Sequence, residues 1–68
     1  MTKLKIGVLG LGAAARNIHL PAIAKIPALE LVGGVDPFAD KAGFGFPVHD
    51  TLAGLLAAGK PDIVAIVT

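Results

Sequence analysis

The sequence predicts an α/β fold in which helices cover a partial, doubly wound parallel sheet. Two observations lead to this prediction. Short apolar runs of strand length alternate with stretches of helical periodicity along the 68 residues, and such alternation implies parallel strands joined by crossovers. A glycine-rich turn also joins the first apolar run to the first helical stretch. The predicted order is strand, helix, strand, short link, strand, helix, strand.

The first strand and the first helix are predicted near the start of the chain. Residues 5–10 form a short apolar run with β-branched members that ends at a glycine, as a strand buried on both faces does. Apolar residues at helical spacing then extend from residue 13 to about residue 26. Pro21 lies inside this stretch and has no backbone N–H, so it should kink or restart the helix.

The second and third strands are separated by a short link. Leu29–Val35 is largely apolar and is expected to be the second strand, which stops before Pro37 because proline cannot extend the hydrogen-bonded ladder. A link over residues 38–45 leads to a small third strand at residues 46–48.

Three leucines at helical spacing predict the second helix: Leu52, Leu55 and Leu56. Asp50 or Thr51 should cap its start. Gly59, expected just past its end, and Pro61 are stop signals. Residues 62–68 are almost entirely apolar and are expected to form the fourth strand.

The turn after the first strand has the pattern G-x-G-x-x-A, an accepted form of the dinucleotide-binding fingerprint of Rossmann-type sheets. Gly10 permits the tight turn, Gly12 lets a pyrophosphate approach the backbone, and Ala15 keeps the helix near the sheet. The free N–H groups of Ala13 and Ala14 should point at the phosphates, assisted by the helix dipole.

An acidic residue at the end of the second strand supports a nucleotide site. Asp36 follows Ala15 by 21 residues, where the fold places a carboxylate that binds the adenosine ribose. A carboxylate accepts hydrogen bonds from the 2′-OH and repels a 2′-phosphate, so the sequence favours NAD over NADP. Lys41 is the nearest following cation and could still reach such a phosphate. The alternative is a structural turn without a ligand, in which Asp36 only begins an Asp-Pro turn.

Composition restricts the class of protein. Hydrophobic residues make up 54% of the chain and the mean hydropathy is +0.78, more apolar material than 68 residues can bury. We therefore expect residues 1–68 to be the first part of a dinucleotide-binding domain in a larger protein. The chain has no cysteine, which fits a reducing compartment, and a cytoplasmic protein is expected. A net charge of +1 without a basic cluster argues against a nucleic-acid partner.

The start of the chain also has features of a secretory signal peptide. Two lysines precede an apolar run at residues 6–15 that ends in small residues. Three glycines at motif spacing and the strand–helix pattern that follows argue against a signal peptide. The run is also far shorter than the roughly 20 residues that span a bilayer, so no membrane partner is expected.

Three segments carry a family resemblance: KIGVLGLGAAARNIHLPAI, ALELVGGVDP and FPVHDTLAGLLAAGKPDIVAIVT. They resemble the amino-terminal part of the Gfo/Idh/MocA oxidoreductases, named for glucose–fructose oxidoreductase, inositol dehydrogenase and a rhizopine-catabolism protein. The most specific elements are HLPA after the glycine turn, VDP at the end of the second strand and the closing IVAIVT. The resemblance covers nearly the whole chain.

The resemblance implies an NAD(P)-dependent enzyme that transfers hydride to or from a sugar, polyol or related carbonyl compound. The residues implied to line the pyrophosphate are Gly10, Leu11, Gly12, Ala13 and Ala14. Asp36 would bind the ribose, and Thr68 would lie beside the cofactor at the carboxyl end of the fourth strand. The resemblance also implies a homo-oligomer and a substrate domain that residues 1–68 do not contain.

The sequence departs from the family pattern in two places. The family has a full helix between its second and third strands, where residues 37–45 are too few for one. Either the crossover is trimmed in this protein or residues are missing there, and we favour missing residues. The family's catalytic lysine belongs to a Glu-Lys-Pro motif that lies beyond this stretch. Lys60-Pro61 follows Gly59 and is interpreted as a helix-end cation and a stop proline, so the chain has no assigned catalytic residue.

Other side chains have simpler interpretations. Three phenylalanines could form an adenine platform, although core or loop packing is the preferred interpretation: Phe38, Phe44 and Phe46. His49 and Asp50 are adjacent, and capping by Asp50 is preferred to an acid–base pair. No third ligand converges with the two histidines, so no metal site is expected. Arg16 could reach a phosphate but is not assigned to the site.

Two other functions stay open at this point. The chain could belong to a non-catalytic NAD(P)-binding sensor or regulatory module with the same fold, or it could be an inert truncated fragment. The sequence beyond Thr68 would discriminate between enzyme and sensor, because an enzyme should carry a lysine in an acid-Lys-Pro setting there.

Overall fold

A computed structural model describes residues 3–39 and 43–67 of the chain. Within these residues the strands are β1 (Leu4–Leu9), β2 (Leu29–Val35), β3 (Val48–His49) and β4 (Ile63–Ile66). Helix α1 consists of a π-helical segment, Ala15–His19, followed by an α-helical segment, Leu20–Ala24, and helix α2 is Leu52–Gly59. The sheet order is β3-β2-β1-β4 and each neighbouring pair is parallel. The predicted α/β class with a parallel Rossmann-type sheet is confirmed.

Strand β1 lies inside the sheet, between β2 and β4, because it is apolar enough to be covered on both faces. Its alternate residues Ile6 and Val8 are buried on one face. The edge toward β4 is fixed by a reciprocal pair of hydrogen bonds. The Lys5 N–H donates to the Asp62 carboxylate at 2.9 Å, and the Asp62 N–H donates to the Lys5 carbonyl at 2.7 Å.

Helix α1 covers one face of the sheet through the small side chain of Ala15 and the branched side chain of Ile23. Ala15 and Ile23 are buried in one cluster with Ile6, Val8 and Leu11. Ala15 is completely buried, so its small side chain allows α1 to lie close to the sheet, as the fingerprint predicts.

Helix α2 covers the opposite face through one side chain, that of Leu55, which is 0% exposed. The register of β1 and β2 shifts after Ile6 so that Gly7 lies opposite Gly33. A Cβ atom on Gly7 would lie 2.6 Å from Leu55 Cδ2, and one on Gly33 would lie 3.0 Å from Leu55 Cδ1. The two glycines therefore form a groove that receives Leu55.

The irregularity expected at Pro21 is present. The Leu20 N–H donates to the Ala15 carbonyl, five residues back, which is the π-helical pattern. Pro21 then occupies the first turn of the α-helical segment, where a missing N–H costs nothing. His19 and Leu20 both have right-handed helical angles, so the chain stays helical up to the proline and the irregularity is the π-helical segment rather than a break.

Three local predictions need correction. The third strand is Val48–His49 rather than residues 46–48, because β3 pairs with β2 only through Gly34↔Val48 and Val35↔His49. Of the two predicted α2 caps, Thr51 is the one observed, since the Thr51 Oγ accepts the Gly54 N–H at 3.1 Å, so the preference for capping by Asp50 was wrong. Gly59 is inside α2, and the left-handed residue that ends the helix is Lys60, with φ 48°.

The connection from β2 to β3 joins two parallel strands across residues 36–47. Its described residues, 36–39 and 43–47, contain no α-helix. The expectation that residues are missing from this connection stays a prediction. Lys41 and Thr68 lie outside the described residues. No helix in the described part of the chain is long and apolar enough to cross a membrane.

Candidate functional site

An open cleft of about 800 Å³ lies where the glycine turn, α1, the end of β2 and the β2–β3 connection meet. Its described lining residues are Leu11, Gly12, Arg16, Leu20, Leu31, Asp36, Phe38, Ala39, Gly43, Phe44 and Phe46. The polar members come from the turn, the first turn of α1 and the end of β2. The cleft is therefore next to the carboxyl ends of β1 and β2, where parallel α/β sheets bind ligands.

The backbone conformation and packing of the turn require a glycine at position 10. Its φ is +98°, a conformation that side-chain-bearing residues rarely adopt, and a Cβ there would overlap the Val67 carbonyl oxygen. Its N–H donates to the Val35 carbonyl at 2.8 Å, and the Val67 N–H donates to the Leu9 carbonyl at 2.9 Å. The start of the turn is thus held between the ends of β2 and β4.

Gly12 has the opposite environment. It is exposed, and no other described atom lies within 4 Å of the position that a Cβ would take. Packing within the described part of the chain therefore does not explain a glycine at this position. The space beside the Gly12 backbone belongs to the cleft, so a ligand can approach the main chain closely there.

Backbone amides follow Gly12 at the start of the helix. Ala14 already has helical angles, φ −63° and ψ −43°, and the Arg16 N–H donates to the Gly12 carbonyl at 3.1 Å. The N–H groups of Ala13 and Ala14 precede this bond, and the helix offers them no acceptor. Both residues are exposed. They are two donors that a phosphate oxygen can use.

Asp36 lines the same cleft and is held by the main chain. One carboxylate oxygen accepts the Phe38 N–H at 2.9 Å and the other accepts the Leu11 N–H at 3.0 Å. These bonds, first that from Phe38 and then that from Leu11, hold the pKa of Asp36 below its ordinary value. Each oxygen keeps a lone pair, so an ionised Asp36 can still accept hydrogen bonds from a ligand hydroxyl.

Leu11 connects the two halves of the site. Its side chain is only 2% exposed, and a Cβ on Gly34 would lie 3.0 Å from both of its terminal methyl carbons. Because its N–H already donates to Asp36, that amide is not free for a phosphate in this structure. The bond instead fixes the distance between the glycine turn and the carboxylate.

The three phenylalanines divide into two groups. The rings of Phe44 and Phe46 have centroids 5.4 Å apart, are tilted by 58° and pack against the core, as expected. Phe38 is 96% exposed, so the packing role preferred for it was wrong. Phe38 follows Pro37 and is one of the residues that line the cleft.

Arg16 also lines the cleft, although the sequence did not place it in the site. The available signal was its position one helical turn after Gly12. Among the described lining residues Arg16 is the cation and Asp36 the anion. The arrangement offers a carboxylate acceptor, free amides and a guanidinium, a set suited to binding a molecule that carries both hydroxyl and phosphate groups.

Comparison with known proteins gives consistent results. The chain matches no protein-family model. It is 31% identical over 72 aligned positions to the rhizopine catabolism protein MocA of Rhizobium meliloti, with 100% of this chain and 22% of that protein covered. The chain therefore spans about a fifth of the length of this relative.

Two solved structures resemble the fold. D-galactose-1-dehydrogenase from Rhizobium etli superimposes with a TM-score of 0.84 and 27% identity, over 97% of this chain and 21% of that protein. A structure from Bordetella bronchiseptica RB50 superimposes with a TM-score of 0.82 and 31% identity, over 96% of this chain and 18% of that protein.

Proposed function

Since the chain is Gfo/Idh/MocA-like in sequence and Rossmann-type in fold, we propose that it holds the pyrophosphate and adenosine ribose of NAD in an oxidoreductase. One observation carries the proposal. Gly10 is enclosed by protein, whereas Gly12, two residues later, faces open space beside unpartnered amides. Packing among the described residues does not require a glycine at position 12, and a ligand that approaches the backbone explains it.

The described residues fit such a cofactor. Gly10 shapes the turn, Gly12 provides the approach, and the amides of Ala13 and Ala14 donate to the pyrophosphate. Leu11 contributes through its backbone, which positions Asp36. A bound nicotinamide dinucleotide supplies the hydride acceptor or donor of the reaction. This chain's part is to bind and orient that cofactor.

Asp36 makes NAD the preferred form. Its carboxylate is pre-oriented by two amides, and their hydrogen bonds favour the ionised form by lowering the pKa of Asp36. Hydrogen bonds from both ribose hydroxyls can reach its remaining lone pairs. A 2′-phosphate would bring negative charge to the same position and be repelled.

The activity of the whole protein is inferred from its relatives. One of the similar structures is a D-galactose-1-dehydrogenase, and MocA is a rhizopine catabolism protein. We infer an oxidoreductase that acts on a sugar, polyol or related carbonyl compound, with the substrate bound by a part of the protein outside residues 1–68. Thr68, which follows β4 in the sequence, is proposed to contact the cofactor. A cytoplasmic homo-oligomer is proposed by the same analogy.

The proposal can be tested by titrating the intact protein with NADH and with NADPH. Calorimetry or nucleotide fluorescence measures the binding. We expect saturable binding of both and tighter binding of NADH. The variant Asp36→Asn should reduce the difference between the Kd values of NADH and NADPH, since it removes the charge that repels a 2′-phosphate. Wild-type protein that is folded by circular dichroism and binds neither nucleotide would contradict the proposal.

A further inference from the structure

Arg16 carries a positive charge that forms no ion pair within the described part of the chain. Its side chain lines the cleft, and no acidic side chain among residues 3–39 and 43–67 forms an ion pair with it. Arg16 and Asp36, both of which the structure describes, line the same cleft without pairing with each other. Asp36 therefore does not pair with the guanidinium of Arg16, and both charged groups border the same cleft.

The backbone locates Arg16 near the glycine turn. Its N–H donates to the Gly12 carbonyl at 3.1 Å, so the residue lies one helical turn from Gly12 and directly follows the buried Ala15. Gly12 and Arg16 both line the cleft, so a ligand that approaches the Gly12 backbone enters the space that Arg16 borders. The ribose position is assigned to Asp36, which follows β2.

We infer that Arg16 binds the pyrophosphate of the dinucleotide, and that it does not bind a 2′-phosphate. This inference rests on the proposed function. A pyrophosphate carries two negative charges that two amides only partly neutralise, and a guanidinium donates hydrogen bonds to phosphate oxygens in a fixed, bidentate geometry. Since both NADH and NADPH contain the pyrophosphate, Arg16 should strengthen their binding by the same factor. Asp36 would then discriminate between the two cofactors, whereas Arg16 would strengthen the binding of both equally.

The test compares Arg16→Gln with wild-type protein, using the intact protein and four ligands: NADH, NADPH, ADP-ribose and adenosine. Loss of a charge-assisted hydrogen bond should raise the Kd of the three ligands that contain a pyrophosphate by about tenfold. The Kd of adenosine should not change. Arg16→Lys, which keeps the charge without the planar fork, should recover part of the loss.

Lys25→Gln is the matched control, because Lys25 is an exposed cation that ends the same helix and does not line the cleft. It should leave all four Kd values unchanged. Raising the salt concentration should weaken NADH binding to wild-type protein more than binding to Arg16→Gln. Salt screens the attraction between the Arg16 guanidinium and the pyrophosphate, and the variant lacks that attraction.

The outcomes separate this inference from the proposed function. Arg16→Gln with wild-type affinity for NADH would overturn the role of Arg16 and leave the cofactor site standing. A loss confined to NADPH would assign Arg16 to the 2′-phosphate and also overturn the inference. Wild-type protein that binds none of the pyrophosphate ligands would remove the proposed function and this inference together.

Discussion

Alanine should have opposite consequences at Gly10 and Gly12, although the two residues are separated by one position. At Gly10 the backbone has φ +98°, and holding a residue with a side chain in such a conformation costs about 1–3 kcal/mol. The new Cβ would also overlap the Val67 carbonyl oxygen, a main-chain atom that cannot rotate away. We therefore expect Gly10→Ala to lower the free energy of unfolding by roughly 2–6 kcal/mol.

At Gly12 the same substitution should leave the fold intact. No described atom lies within 4 Å of the Cβ position, so the change in stability should stay within about 0.5 kcal/mol. The methyl group would instead occupy space that the pyrophosphate needs. Overfilling a close contact costs about 1–3 kcal/mol, which corresponds to a rise of roughly 5- to 150-fold in the Kd of NADH.

The assay is urea unfolding of both variants of the intact protein, followed by circular dichroism, together with NADH titration of each variant. Each variant is the control for the other, since one should lose stability and the other only affinity. The reasoning fails if Gly12→Ala binds NADH as tightly as wild-type protein, because the open flank of Gly12 would then have no ligand. It also fails if Gly12→Ala is destabilised as much as Gly10→Ala.

Three further predictions concern the frame of the site. Leu55→Ala should lower the free energy of unfolding by about 3–5 kcal/mol, because the lost side chain is the buried contact of α2 with the sheet; hydrogen exchange in β1 and α2 would measure this. Phe38→Ala should leave the urea midpoint unchanged, since the ring is 96% exposed, and a shifted midpoint would show that the ring packs. Asp36 should stabilise the fold above its ordinary pKa of 3.8, and this contribution should be lost as the pH falls through its lowered pKa; urea midpoints of wild-type protein and Asp36→Asn at several acidic pH values should therefore converge.

The parts of the fold that the sequence predicts best are those determined by local chemistry. The bounds of β2 agree residue for residue, because an apolar run is followed by a proline that cannot join the ladder. The turn at residues 10–12 was also predictable, since its glycine spacing has a direct backbone explanation. The helical irregularity at Pro21 follows from the missing N–H.

The errors occur where a residue's environment depends on distant partners. Gly59 looks like a helix terminator, but it lies inside α2. A Cβ there would lie 3.1 Å from Val32 Cγ2, so close packing against β2 explains the glycine. The groove for Leu55 depends on a register shift that brings Gly7 opposite Gly33, and strand register is not visible in a single sequence. Phe38 was expected to pack, yet it is exposed, and whether an apolar side chain finds a packing partner depends on tertiary contacts that a single sequence does not show.

The candidate site is held by the same hydrogen bonds that hold the sheet. Gly10 donates to the Val35 carbonyl at the end of β2, and Leu11 donates to the Asp36 carboxylate one residue further on. The glycine turn and the carboxylate are thus connected by two bonds at consecutive positions, so neither can move without the other. A ligand that binds both groups would meet a preformed geometry and lose little free energy to ordering the protein. It follows that Asp36→Asn should weaken binding partly through the position of the turn, so adenosine affinity and pyrophosphate affinity should fall together in that variant, whereas Arg16→Gln should separate them.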